Sequence, residues 1–223
     1  MIPLRSTERV QAATVVTGIL IAINVLVFLY QVSLGPTVNL FVERWGIVPD
    51  SISGHLQTLL TSMFLHGGWM HLLGNMLFLW VFGRNVEDLI GGGRFLAFYL
   101  CCGLAAAILQ VITNPYSRVP TIGASGAIAG VMGAYLIKFP RARIVTLVPI
   151  IVFITTVEIP AWAMLLWWFV IQLFSGLGSL ATTNYAGGGI AWFAHIGGFV
   201  AGMLLIRAFP VKRRQWRAWN EED

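Results

Sequence analysis

The chain of 223 residues is 57% apolar and only 10% charged, with a mean hydropathy of +0.80, against about 25% charged residues in an ordinary soluble domain. From Ile159 to Ile206 there is no Lys, Arg, Asp or Glu, which excludes a soluble fold and leaves room for two membrane spans of about 20 residues each. The net charge of +5 comes from basic residues at the ends of apolar runs and in the tail from Lys212 to Arg217. Anionic lipid headgroups attract such residues, so the expected surroundings are a lipid bilayer and no nucleic-acid partner is implied.

In chain order, residues 1–13 form a short basic N-terminal tail, and the first span runs from Thr14 to Leu34. It reads as a retained helix, because no small-x-small cleavage site follows its apolar core before Gly35 and Pro36. The loop at 35–67 is long for a bundle connection and rich in apolar residues such as Phe41, Trp45, Leu56 and Leu60, so it is expected to lie partly in the membrane interface. Further spans follow at Gly68 to Gly83, Phe95 to Thr113 and Ile122 to Ile137. The adjacent Cys101 and Cys102 fall inside the third span and read as packing residues. The β-branched segment from Ile144 to Val157 is broken by Pro149 and flanked by Arg143 and Glu158, too short to cross. Two last spans, Pro160 to Leu180 and Ile190 to Ile206, precede a basic C-terminal tail at 209–223. The expected fold class is thus an all-α polytopic membrane protein, one six-helix membrane domain at 14–208 with no repeat and no second domain.

Charge sets the orientation. With the N-terminus inside, the inner segments hold Arg5, Arg9, Arg84, Arg94, Lys138, Arg141, Arg143, Arg207, Lys212, Arg213, Arg214 and Arg217, and only Arg44 and Arg118 fall outside. That bias predicts both termini on the cytoplasmic side.

Three polar residues then stand at one depth. His71, Ser125 and His195 precede Arg84, Lys138 and Arg207, the basic ends of their helices, by 13, 13 and 12 positions, which is about 18 to 20 Å of helical rise in each case. Intramembrane serine is common as interhelical glue, and Gly126/Gly130 and Gly198/Gly202 are small-xxx-small pairs that let helices approach. Histidine within a span is rarer and points to function. A hydrolase needs a nucleophile, a base and donors for an oxyanion. Ser125 supplies the first and His195 the second, while His71, Asn75 and the backbone N–H of Ser125 supply the donors. All nine acidic residues read as belonging to tails or loops, so a Ser/His dyad is expected rather than a triad with a carboxylate.

With these residues in view the chain resembles the rhomboid intramembrane serine proteases over nearly its whole length. The resemblance is carried by HxxxxHxxxN at His66, His71 and Asn75, by GASG from Gly123 to Gly126 around Ser125, and by AHxxG at His195 and Gly198. The motif GASGA is not the GxSxG elbow of soluble hydrolases, since Ala127 occupies the last glycine position. The resemblance implies a six-helix core with a water-filled cavity opening outward. It also implies hydrolysis of a peptide bond in or next to the transmembrane segment of single-span or polytopic substrates, near its outer end, without metal or organic cofactor. His66, Gly123, Gly126 and Gly198 would support the site. Two positions depart from some bacterial members: Ala129 stands where an aromatic stacks on the base, and Gln57 and Thr58 stand where a Trp-Arg pair anchors the loop.

Substrate entry needs a movable element, and the turn from Ala181 to Gly189, with its run Gly187, Gly188 and Gly189, is expected to cap the cavity. Substrates should carry helix-weakening Gly or Pro and a small residue at the cut. A compact chain without appended domains suggests a prokaryotic inner membrane. Two other readings compete: a catalytically inactive scaffold of the same family that binds transmembrane clients, and a haem or metal bundle using His66, His71 and His195. No second-shell carboxylate or HExxH pattern supports the last.

Overall fold

The computed structural model describes residues 2–150, 153–181 and 191–211. The element order is β1 (Ile2–Ser6), α1 (Val15–Ser33), α2 (Val38–Trp45), α3 (Thr58–Thr61), α4 (Trp69–Phe78), α5 (Arg84–Ile90), α6 (Gly92–Thr113), α7 (Ser125–Lys138), β2 (Arg143–Ile150), β3 (Phe153–Pro160), α8 (Ala161–Ala181) and α9 (Trp192–Leu205). Short 3-10 turns link α1 to α2 and flank α3, and a π-helical turn at Leu79–Gly83 joins α4 to α5. Helix α4, the π turn and α5 form one rod from Trp69 to Ile90, about 33 Å long, which stops where Gly91 takes φ +89°.

Among the described residues, three helices are long and apolar enough to cross a membrane: Val15–Ser33, Gly92–Thr113 and Ala161–Ser179. Helices α7 and α9 have 14 residues each, about 21 Å, less than the roughly 30 Å of a hydrocarbon core. The expectation of six membrane-spanning helices is therefore met only as a mainly helical membrane bundle. Helix α7 can be short because every residue from Gly126 to Leu136 is buried, so it meets other helices rather than lipid. Its contact with α9 is backbone against backbone. A Cβ on Gly198 would stand 1.9 Å from the carbonyl oxygen of Gly126, and one on Gly202 would stand 1.9 Å from that of Gly130. Only glycine permits this approach, and without a hydrophobic force between helices in lipid such close packing is what joins them. Cys102 is buried with its Cβ against Gly130, whereas Cys101 is exposed. Cys102 is a packing residue as expected, whereas the expectation of packing fails for Cys101.

The all-α expectation fails at the basic end of the bundle. There β1, β2 and β3 form an antiparallel sheet in that order, with Ile2 opposite Leu147 and Arg143 opposite Pro160. The run of β-branched residues that is too short to cross thus forms a hairpin, as pleated, half-buried surfaces favour. Ala142, Ile144 and Thr146 point inward while Arg141 and Arg143 are exposed. The first residues, expected as a plain tail, supply the third strand.

Two carboxylates also lie elsewhere than expected. Glu87 and Asp88 stand in α5, buried, not in a loop. Glu87 accepts from the backbone N–H of Val16 (2.9 Å) and Thr17 (2.7 Å) and from the Thr17 hydroxyl (2.7 Å), capping the start of α1 where the helix dipole favours negative charge. Asp88 accepts from the N–H groups of Gln11 and Ala12, both at 3.0 Å. These donors are backbone N–H groups at or just before the start of α1 and the Thr17 hydroxyl, and such charge-assisted hydrogen bonds make burial of two acids tolerable. Glu87 is about 24 Å along the rod from His71, so neither acid serves the polar cluster at the other end.

Opposite the sheet, the segment between α1 and α4 covers the Ser125 end. Ile47 and Thr121 exchange backbone hydrogen bonds (3.0 and 2.7 Å), Arg118 pairs with Asp50 at 3.1 Å, and the Thr61 hydroxyl donates to the Trp45 carbonyl at 2.7 Å. These contacts anchor the segment. Leu40, Leu56 and Leu60 remain exposed, the apolar face expected of an interfacial loop. The glycine run expected to cap the cavity and the basic tail beyond Val211 lie outside the described residues.

Candidate active site

The Ser125 end of the bundle holds a cavity of about 240 Å³. His71, Gly74 and Asn75 from α4, Ser125 and Ile128 from α7, Trp168 from α8 and His195 from α9 line it, with Met70, Phe78 and Met132. The three residues level in sequence therefore meet in space. His66 stays behind the cavity wall.

Ser125 opens α7, and first-turn N–H groups have no partner within their own helix. Its Oγ lies 2.8 Å from Nε2 of His195, a hydrogen-bond distance suited to transfer of the hydroxyl proton. His195 is buried, and its other ring nitrogen, Nδ1, lies 2.7 Å from Oε1 of Gln172 on α8. The Trp168 ring packs on the same imidazole, centroids 5.8 Å apart and 36° between planes. Nothing in the sequence singles out Gln172 and Trp168. One is a lone amide and the other one of nine tryptophans; only their shared distance of one helical turn hints that both face α9. They supply what Ala129 cannot, a ring and a hydrogen bond that hold the imidazole.

His71 faces Ser125 across Gly123. The Gly67 N–H donates to Nδ1 of His71 (3.3 Å), so in the neutral ring the proton is on Nε2 and directed away from that loop. A Cβ on Gly123 would stand 2.8 Å from this Nε2 and 3.6 Å from the Ser125 Oγ. Gly123 therefore keeps open the space between Ser125 Oγ and His71 Nε2, and its φ of +126° independently favours glycine. Its N–H is held by the Ser62 carbonyl at 2.9 Å. Asn75 donates one amide hydrogen to Nε2 of His66 (3.0 Å), which leaves its second amide hydrogen for the cavity.

His66 is itself fixed by α1. Its N–H donates to Oε1 of Gln31 (3.0 Å), and its carbonyl accepts from Nε2 of the same side chain (3.2 Å). This reciprocal clamp was not legible in the sequence, since a single Gln in an apolar helix carries no periodic signal. Among the described residues, no group of three His, Cys, Asp or Glu side chains is placed to hold a metal ion.

Comparison with known proteins places this arrangement. The sequence pattern of the Rhomboid domain matches residues 53–210. Rhomboid protease GluP of Bacillus subtilis is 39% identical over 123 residues, covering 54% of this chain and 24% of that protein. Rhomboid protein 1, mitochondrial, of Saccharomyces cerevisiae is 29% identical over 211 residues, 89% of this chain and 55% of that protein. Human presenilin-associated rhomboid-like protein, mitochondrial, is 34% identical over 134 residues, 58% of this chain and 34% of that protein. The chain thus spans about half or less of the length of these relatives. A domain pattern that covers most of the chain, joined to a helical membrane bundle with apposed serine and histidine, means that the chain belongs to the rhomboid family.

Proposed function

We propose that the chain is an intramembrane serine endopeptidase that cuts a peptide bond in or next to the transmembrane segment of another membrane protein. The observation that carries this reading is the 2.8 Å contact between Ser125 Oγ and His195 Nε2 at a helix start, in a cavity that also holds His71 and Asn75. Ser125 attacks the scissile carbonyl while His195 takes its proton. The N–H of Ser125, Nε2–H of His71 and the free amide hydrogen of Asn75 face the developing oxyanion. His195 then protonates the leaving amine, and water, activated by the same base, releases the acyl group from Ser125. A substrate helix has its carbonyls tied up in its own hydrogen bonds, so substrates with Gly or Pro and a small residue near the outer end of the span are favoured.

The basic residues support an orientation with both ends of the bundle's chain inside and the cavity toward the outer face. The relatives named above come from a bacterium and from mitochondria, so they lend no support to a prokaryotic inner membrane in particular.

The test is incubation of the purified protein, Ser125→Ala and His195→Ala with a single-span substrate of this kind. Cleavage by the parent and by neither variant is expected. A parent that binds several such substrates and cuts none is the result that favours an inactive client-binding member of the family.

A further inference from the structure

Helix α8 carries Gln172, Ser175 and Ser179 as its polar side chains apart from tryptophan, and of these only Gln172 is buried. Its amide has two neighbours. Nε2 lies 3.4 Å from the carbonyl of Trp168, one turn back on the same helix, and Oε1 lies 2.7 Å from Nδ1 of His195. The orientation is determined by chemistry, because turning the amide over would set its oxygen against the Trp168 carbonyl, two acceptors with no hydrogen between them. An amide oxygen accepts only. Nδ1 of His195 must therefore carry the hydrogen, and in a neutral imidazole this leaves the Nε2 lone pair facing the Ser125 hydroxyl at 2.8 Å. The alternative tautomer would present a second hydrogen to the serine and could not accept its proton.

We propose that Gln172 is a positioning residue, an uncharged third member behind Ser125 and His195 that fixes the tautomer and the ring plane of the base. The role rests on the protease reading given above. An amide suits the location, since an ionised carboxylate at membrane depth is costly without partners, and the carboxylates of α5 are committed at the far end of the bundle. Gln172 touches no reacting atom and acts only through His195. Trp168 packs against the other side of this arrangement, on the imidazole and on Phe199, so both groups that orient the base belong to α8 while nucleophile and base belong to α7 and α9.

The experiment compares the parent with Gln172→Leu, which keeps the bulk and removes the acceptor, and Gln172→Glu, which restores an acceptor at the same reach. Two readouts are taken in the same detergent: covalent labelling of Ser125 by a fluorophosphonate, and cleavage of a single-span substrate with kcat and KM resolved. Gln172→Leu should slow labelling and lower kcat about a hundredfold, by analogy with loss of the orienting group behind other serine-activating histidines. KM and the thermal midpoint should stay at the parent's values, and Gln172→Glu should recover at least a tenth of the parent's rate. Gln172→Met replaces the leucine variant if that one loses its midpoint. An active parent with an equally active Gln172→Leu overturns the positioning role alone, as does a folded Gln172→Glu no better than Gln172→Leu. A parent that neither labels nor cuts overturns the protease reading, and the role of Gln172 falls with it.

Discussion

The rod from Trp69 to Ile90 carries a polar cluster at each end, and the two clusters are built on opposite rules. At the basic end, Glu87 and Asp88 accept from four backbone N–H groups and a hydroxyl. They tie the N-terminal segment and the start of α1 to the bundle, and they face no cavity of the site. At the other end, His71, Asn75 and Ser125 are each held by part of their hydrogen-bonding capacity and keep the remainder turned to a cavity. Polar groups within a membrane protein are costly in either case. What separates structure from chemistry is spare capacity aimed at open space, not polarity or burial.

Substitutions at the two ends should therefore separate activity from stability. The largest expected effect is at the Ser125 end, where His195→Ala should lower cleavage by about a thousandfold or more, with the unfolding midpoint unchanged. A midpoint that falls in parallel with activity would remove the distinction. Next, Asn75→Ala should reduce kcat by about a hundredfold, the usual cost of one oxyanion donor, and Gly123→Ala should do at least as much because its Cβ would occupy the space beside Nε2 of His71. Steady-state assays of both, with KM near the parent's, provide the check. At the basic end, Glu87→Gln should lose about 2 kcal/mol of stability through weaker, uncharged capping of α1, while the rate of fluorophosphonate labelling in the folded fraction stays at the parent's value. The smallest effect is expected for Gln31→Leu, about 1 kcal/mol from the unmatched His66 backbone. Its interest is that it lies between the two classes. A labelling rate that also falls severalfold would show that α1 sets the geometry of the donors through His66.

The membrane bundle was legible because apolar composition and the spacing of basic residues are properties of whole segments, and these survive without knowledge of contacts. Helical rise converts sequence distance into height, so the spacings of His71, Ser125 and His195 from Arg84, Lys138 and Arg207 put the three at one depth for the same reason. Contacts that depend on which way a lone side chain turns were not legible. Gln172, Trp168 and Gln31 sit in apolar helices whose pattern has no clear polar face, so nothing in their spacing distinguishes a site residue from a tolerated one. The sheet is not legible in the sequence because its hairpin reads as one apolar segment too short to cross and its third strand lies in what reads as a tail. Glu87 and Asp88 read as loop residues because their donors lie 70 to 77 residues away in sequence, and nothing local marks a helix that can bury an acid.

The backbone contact between α7 and α9 has a mechanical consequence. Of the two approaches at 1.9 Å, Gly126 against Gly198 and Gly130 against Gly202, the first lies one residue from Ser125 and three from His195, so it acts as a fulcrum about 4.5 Å below the imidazole. Rocking α9 by about 5° about that point displaces the ring by about 0.4 Å, whereas the same rotation about Leu205, about 15 Å away, would displace it by about 1.3 Å. Misplacement of about 1 Å is enough to cost a reaction about a hundredfold. Placing the fulcrum beside Ser125 and His195 makes their alignment insensitive to lipid-driven tilting of the outer helices, and two glycines without side chains are the parts from which such a fulcrum is made.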